Sequence, residues 1–131
     1  MLRRIADENR SISLCSTVLK SVVVVRNLGV LFDSELTMKQ HINHVVSVGY
    51  YHLRRLRQIK RHVTRDAMKQ LVSALILSRI DYCNSVLIGL PACAIYPLQR
   101  LQNAAARLVT GLRTRDHVTS TLAVLHWLPV R

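Results

Sequence analysis

The sequence has few of the residues from which metal sites, disulfide frameworks and phosphate loops are built. Its three cysteines, Cys15, Cys83 and Cys93, form none of the C-x2-C pairs that most often mark a zinc site. Their odd number does not match a secreted disulfide framework, so we expect reduced thiols in a nuclear or cytoplasmic protein that is not secreted. Neither a G-x-x-x-x-G-K-S/T loop nor a G-x-G-x-x-G loop occurs.

Acidic residues are scarce as well. Seven Asp and Glu stand against 19 Lys and Arg, which gives a formal net charge of +12 and a pI of about 10.9. Two-metal phosphoryl chemistry needs several converging carboxylates, so these scattered acids predict no catalytic residue, no metal site and no cofactor. The charge is expected to attract polyanions, with nucleic acid first and an acidic membrane surface second. A charge that only maintains solubility is the other interpretation.

Long apolar runs and aromatic residues are also few. Aromatic residues make up 5% of the chain and hydrophobic residues 50%, so the core has to consist mainly of Leu, Val and Ile. No apolar run approaches the ~20 residues that span a bilayer. Residues 1–10 are charged and lack the apolar region of a signal peptide. We expect one domain, soluble or at most peripheral, after a disordered or truncated lead at 1–10.

The hydrophobic pattern changes its period near residue 36. β-branched residues from Ile12 to Asp33 predict two or three short antiparallel strands, with Gly29 either at a bulge or where another group approaches the backbone closely. After a cap at Ser34 or Thr37, apolar residues at three- and four-residue steps predict a helix to about residue 61, roughly 35 Å long. The fold class is therefore mainly α: a small antiparallel hairpin or sheet over 11–35, then a bundle of about four helices over 36–131.

The stretch from Thr64 to Pro91 is expected to lie at the centre of the bundle, because its first half is apolar on nearly every side. Thr64 is the predicted N-cap, and Gly89 and Pro91 end the run. A polar patch inside it is interpreted as a buried structural network of hydrogen bonds in preference to an active site. The members of this patch are Asp81, Tyr82 and Asn84.

The next helix is expected to open at Pro97 and to end at Gly111 as its C′ residue. Its small residues Ala104–Ala106 would let another helix approach closely. Thr119 or Ser120 is the expected cap of a last short helix. The positions assigned to the core are Leu71, Leu75, Ile76, Leu101, Ala105 and Leu108.

Isolated histidines and cysteines do not predict a site. His41 and His44 are three residues apart on one helix, but no third metal ligand lies nearby in the sequence, so a surface or capping pair is the better interpretation. Cys83 and Cys93 lie in or beside apolar sequence and are expected to be buried, inert thiols.

The strongest functional signal is the basic C-terminal half of the first predicted helix. No acid occurs between Glu35 and Asp66, and the cations in this interval repel one another unless an anionic partner relieves the repulsion. We predict that six of them contact phosphate: Arg54, Arg55, Arg57, Lys60, Arg61 and Arg65. A second basic cluster, with Arg107, Arg113 and Arg115, follows near the end of the helix that precedes Gly111.

Five blocks of the sequence occur in an order known from a polymerase family. They are VRNLGVLFD at 25–33, HI at 41–42, LSRIDYCNSVLIGLP at 77–91, LQRLQNAAARLVTG at 98–111 and LHWLP at 125–129. In this order they resemble the region just after the palm in reverse transcriptases of non-LTR (LINE-type, jockey-like) retrotransposons. The resemblance covers residues 11–130.

This resemblance implies that Asn27–Val30 is the hairpin that grips the primer strand, with Arg26 and Asn27 as contacts on the primer side. It also implies that the helices are the thumb and the helical segment after it, which hold the template–primer duplex. The palm, with its catalytic aspartates and its Mg, would lie upstream of residue 1, and we expect the chain to be a fragment cut at both ends. No catalytic residue is carried over, and the expected partner is an RNA–DNA hybrid or duplex nucleic acid.

A non-catalytic helical protein-interaction module is the alternative. Its contact surface would be the Val22–Val25 strand or the Ala104–Ala106 face, since apolar surface without a partner favours association. A membrane-surface role ranks third, because the basic helix lacks the Trp and Phe that anchor interfacial helices. The oligomeric state does not follow from the sequence.

Overall fold

The computed structural model describes residues 11–82 and 84–130, so the predicted lead at 1–10 lies outside the described residues. The described chain opens with two antiparallel hairpins. Strand β1 (Ser11–Leu14) pairs with β2 (Thr17–Lys20), and β3 (Val24–Asn27) pairs with β4 (Val30–Asp33). The hairpins are two separate two-stranded sheets, and no ladder joins β2 to β3 in this part of the chain.

Helices form most of the remaining chain and, together with the hairpins, confirm the predicted mainly α fold class. The helices are α1 (Lys39–Ile59), α2 (Arg65–Val72), α3 (Ser78–Asp81), α4 (Ala92–Thr110) and α5 (Thr119–Val124). A 3-10 turn at Lys60–His62 extends α1, and another lies at Asn84–Leu87. One π turn at Ser73–Leu77 joins α2 to α3 without a break.

Gly29 lies in the turn between β3 and β4, so its prediction as a strand bulge is wrong. Leu28 and Gly29 are the two loop residues, and both have a positive φ, 48° and 85°. A two-residue hairpin loop favours two positive φ angles because the twist of such a turn matches that of the strands. The valine run before it is mostly exposed, with Val24 alone half-buried among residues 22–25.

The core lies where α1 crosses α4. A Cβ built on Gly49 of α1 would lie 2.3 Å from Cδ2 of Leu101 on α4, which is far too short for two carbon atoms that are not bonded to each other. Leu101 has no exposed surface, and neither have Val72 and Ile76 from the α2–π–α3 segment. The absence of a side chain at Gly49 therefore sets how closely the two long helices approach.

The assigned core positions are confirmed on α4 and only partly confirmed on the preceding segment. Ile76, Leu101, Ala105 and Leu108 are buried, whereas Leu71 and Leu75 are half-buried. The stretch after Thr64 therefore buries one face and is not surrounded on every side. Its buried residues recur every four positions, at Met68, Val72, Ile76 and Ile80.

Helix starts follow the predicted caps in one case and differ in another. Thr64 Oγ1 accepts a hydrogen bond from the backbone N–H of Ala67 at 3.3 Å, as predicted for the N-cap of α2. α1 instead begins at Lys39, and the carboxylate of Asp33 accepts hydrogen bonds from the Thr37 hydroxyl and from the N–H groups of Thr37 and Met38. These bonds, with the Thr37 hydroxyl first, lower the pKa of Asp33.

α4 begins five residues before the predicted start. Pro91 is its N-cap, and Pro97 lies inside the helix, where it lacks the N–H that would bond the preceding turn. The predicted end is confirmed, since Gly111 has φ 77° and its N–H donates to the Arg107 carbonyl at 2.9 Å. α5 is capped by Val118, and neither Thr119 nor Ser120 occupies the N-cap position.

The predicted buried polar network is wrong, because Asp81, Tyr82 and Asn84 are all exposed. The α3 helix ends at Asp81, and the chain then follows the surface. The Tyr82 hydroxyl donates to the Leu28 carbonyl at 2.9 Å and so ties the end of α3 to the β3–β4 turn. Among the described residues, no helix is both long enough and apolar enough to cross a membrane.

Candidate nucleic-acid interface

The basic residues of α1 point in different directions around the helix. Each residue turns the helix by about 100°, so Arg54 and Arg57 are about 60° apart, while Arg55 is about 160° from Arg57. All three side chains are exposed, and the buried face between α1 and α4 lies elsewhere on the helix. One flat surface on α1 cannot therefore present all three to the same partner.

Two of the predicted phosphate contacts instead meet two cations from the end of α4. Arg57 and Lys60 line one side of a cavity of about 560 Å³, and Arg107 and Arg113 line the other. We call this cavity the arginine cleft. Its remaining lining residues are Ala104, Leu108, Leu112 and Thr114, and none of the described residues that line it is acidic.

The turn after α4 shapes the arginine cleft. Gly111 adopts the left-handed conformation that ends the helix, and a Cβ at this position would lie 3.8 Å from Nζ of Lys60. The Lys60 ammonium therefore lies beside the turn, at an ordinary contact distance from this position. In the loop that follows, the N–H of Arg113 donates to Oδ2 of Asp116 at 2.7 Å, which holds the loop closed.

Arg107 has incomplete hydrogen bonding. Its Nη2 donates to the Asp116 carbonyl at 3.2 Å, while its Nε is buried and has no hydrogen-bond partner. Nearly all buried donors in proteins are paired, so an unpaired donor beside a cavity is an unusual feature.

The other predicted contacts do not line the cleft. Arg54, Arg55, Arg61 and Arg65 are exposed around it, with Arg61 in the 3-10 turn and Arg65 at the first position of α2. The chain leaves the direction of α1 at Lys60 and starts a new helix after Thr64, so the sequence run from 54 to 65 does not remain on one side. The predicted patch of six is therefore divided.

On the hairpin side, the structure separates Arg26 from Asn27. Arg26 lines a second cavity, of about 370 Å³, together with His41, His44 and Arg79. Asn27 is exposed at the end of β3 and is not among the residues that line this cavity. Arg79 was not predicted as a contact.

His41 is not the surface residue that its spacing suggested. It is 5% exposed, and its Nδ1 accepts a hydrogen bond from the Leu31 N–H at 3.4 Å, which joins α1 to β4. Burial, and then the charge of His44, lower the pKa of His41, so the ring is neutral at pH 7. No group of three or more metal-binding side chains occurs among the described residues.

Sequence reasoning found the cations of the cleft without joining them. Arg107 and Arg113 were recognised as a separate cluster, but periodicity does not reveal that the ends of α1 and α4 lie side by side.

Cys93 is exposed, which corrects its prediction as a buried thiol. It lies in the first turn of α4, because that helix starts earlier than predicted. Cys83 lies outside the described residues.

Comparison with protein-family models, with curated proteins and with solved structures found no match for this chain.

Proposed function

We propose that residues 11–130 correspond to the region after the palm of a non-LTR retrotransposon reverse transcriptase and bind the template–primer duplex without reading its sequence. The observation that supports this proposal best is the arginine cleft, where four cations from α1, α4 and the turns that follow these helices line one cavity. The five ordered sequence blocks support the proposed family. The net charge of +12 supports long-range attraction of the negatively charged duplex.

The proposed contacts are to phosphate and not to bases. Three of the four cations are arginines, whose planar guanidinium groups can donate two parallel hydrogen bonds to one phosphate. Such contacts position a duplex but carry no sequence information. Arg54 and Arg61, exposed beside the cleft, extend the cationic surface along the backbone of a bound duplex.

The number of contacts sets the salt dependence. Each neutralised phosphate contributes about −0.9 to the slope of log K against log salt concentration. Four contacts give a slope of about −3.6, so affinity should fall about 150-fold between 50 and 200 mM salt. A protein whose charge only maintains solubility would show no such defined slope.

The test is fluorescence anisotropy of a labelled RNA–DNA hybrid at several salt concentrations. The double variant Arg57→Ala and Lys60→Ala should reduce the magnitude of the slope by about 1.8. Lys20→Ala, an exposed cation on the first hairpin, is the matched control and should leave the slope unchanged. Salt-independent affinity, or a double variant with the native slope, would refute duplex binding at the cleft.

A protein-interaction function is the second candidate, and one feature of the first hairpin favours it. The register pairs Ile12 with Leu19 and Leu14 with Thr17 on one face, while Ser11, Ser13, Lys20 and Val18 lie on the other. Ile12, Leu14 and Leu19 are nevertheless 68%, 58% and 49% exposed. A lone two-stranded hairpin is marginally stable in water, so this apolar face needs a covering surface.

A second copy of the chain is the occupant we propose for this face. The segment 11–25 carries Lys20 as its single charge, so two copies of this strongly basic chain repel each other least there. Sedimentation velocity should show a dimer that Leu19→Glu dissociates and that Val124→Glu, at an exposed position of α5, leaves intact. A native chain that is monomeric at tens of micromolar contradicts this proposal.

The Ala104–Ala106 face is not available as a contact, because Ala105 and Ala106 are fully buried.

A further inference from the structure

The arginine cleft holds more positive charge than one backbone phosphate needs. Four side chains contribute a charge of +4. The C-terminal ends of α1 and α4, which lie beside the cleft, each contribute about half a negative charge. Asp116, whose Oδ2 accepts the N–H of Arg113, contributes one more negative charge, so the balance is about +2, whereas a phosphodiester carries a single negative charge.

We infer that the arginine cleft is a binding site for a compact triphosphate group, carried either by a free nucleotide or by the 5′ end of an RNA. This inference goes beyond duplex binding, because it concerns a ligand that enters the cavity and needs no double helix. At neutral pH a triphosphate carries several negative charges on one compact group, so it matches the excess positive charge of the cleft better than a single phosphodiester does.

The shape of the site favours a small ligand. Its volume of about 560 Å³ lies within the ~300–1,000 Å³ range typical of small-molecule sites. Ala104, Leu108 and Leu112 line the cleft together with the cations, so apolar surface borders the charged groups. A duplex is convex and can touch the rim of such a cavity, while a terminal phosphate chain can enter it.

Arg107 is the residue that should respond to the ligand. Its Nη2 donates a hydrogen bond to the Asp116 carbonyl, and its buried Nε has no partner. Rotation of the guanidinium towards the cavity would exchange that single bond for charge-assisted bonds to phosphate oxygens and would pair the unsatisfied donor. Such bonds are stronger than bonds to a neutral carbonyl.

Asp116, in the loop that follows α4, brings a carboxylate close to the cleft, and its Oδ2 already accepts the N–H of Arg113. None of the described residues that line the cleft is acidic. The Lys60 ammonium can follow the ligand because its charge is carried on a flexible stem.

Calorimetric titration of the whole chain with sodium tripolyphosphate tests the inference, with orthophosphate and sulfate as comparison anions at constant ionic strength. Tripolyphosphate should bind at least tenfold more tightly than either. Arg113→Ala, which keeps the backbone bond to Asp116, should weaken tripolyphosphate binding about tenfold or more. Arg55→Ala removes an exposed cation outside the cleft and should have no such effect.

Three outcomes overturn the inference: sulfate binds as tightly as tripolyphosphate, Arg113→Ala binds like the native chain, or Arg55→Ala weakens binding equally. A 5′-triphosphorylated RNA that binds more tightly than its 5′-hydroxyl counterpart supports an RNA end as the source, and ATP that matches tripolyphosphate supports a free nucleotide. The hybrid-binding assay is separate. Loss of hybrid binding with intact tripolyphosphate binding refutes the proposed function alone, and the reverse result refutes this inference alone.

Discussion

The contact between Gly49 and Leu101 makes a quantitative prediction about stability. Replacing Gly49 by alanine adds one methyl group in the middle of α1. In an exposed helix this change would stabilise the protein by about 1 kcal/mol, because alanine favours the helix more than glycine does. Here the new Cβ would lie 2.3, 2.9 and 3.1 Å from three side-chain atoms of Leu101.

The packing cost should exceed the gain in helix propensity. Overpacking in a filled core typically costs about 1–3 kcal/mol. Leu101 has no exposed surface and so cannot move its methyl groups into solvent, which places Gly49→Ala near the upper end of that range. We therefore expect a net loss of about 2 kcal/mol, which corresponds to about 1 M in the urea midpoint if the slope is about 2 kcal/mol/M.

Urea unfolding followed by circular dichroism measures this loss, and a double-mutant cycle tests its cause. Leu101→Ala alone should cost about 2–5 kcal/mol. In that background Gly49→Ala should become stabilising by about 1 kcal/mol, so the coupling energy should be about 3 kcal/mol. Ser47→Ala, at an exposed position of the same helix, is the control for propensity alone. A stabilising Gly49→Ala in the native background, or a coupling near zero, would show that α1 and α4 are not closely packed between Gly49 and Leu101.

Two further predictions concern the hairpin contact and a helix cap. The pKa of His41 is lowered in the folded chain, so the unfolded chain binds more protons. The free energy of unfolding should therefore fall as the pH drops below about 6.5, the ordinary pKa of histidine. His41→Gln should remove this part of the pH dependence, which unfolding curves at pH 7.5 and 5.5 measure. A native chain equally stable at both values would contradict the assignment. Thr64→Ala should destabilise the chain by about 1 kcal/mol because α2 loses its capping hydroxyl, whereas Thr119→Ala, in a helix without a side-chain cap bond, should have an effect near zero.

The sequence predicted those parts of the fold that depend on local pattern. Three- and four-residue spacing identified α1 and the buried face of α4, and the conformational preferences of threonine and glycine identified Thr64 and Gly111 as helix ends. Pro97 was misplaced because proline favours a first turn, yet the packing of α4 in the core keeps the helix intact on both sides of it.

The candidate site was predicted only in part, because it depends on contacts between distant segments. Arg57 and Lys60 were assigned from their helix, but their partners Arg107 and Arg113 lie about 50 residues further along the chain. The Asp81–Tyr82 patch failed for a related reason: an apolar sequence neighbourhood suggests burial, while the end of α3 turns these residues outward. The composition predicted that the surface charge is positive. Where the positive side chains come together depends on how α1 crosses α4.

The π turn at Ser73–Leu77 changes the direction in which the side chains after it point, and so keeps the buried residues of this segment on one face. Residues that recur every four positions drift by about 40° per step around an ordinary α-helix, or about 120° from Met68 to Ile80. The wider turn takes up this drift, so that Met68, Val72, Ile76 and Ile80 all remain buried. The same correction sets the direction in which the helix ends, and therefore where Tyr82 meets the Leu28 carbonyl. The position of the β3–β4 hairpin is thus linked, through one widened turn, to the spacing of the buried residues in α2.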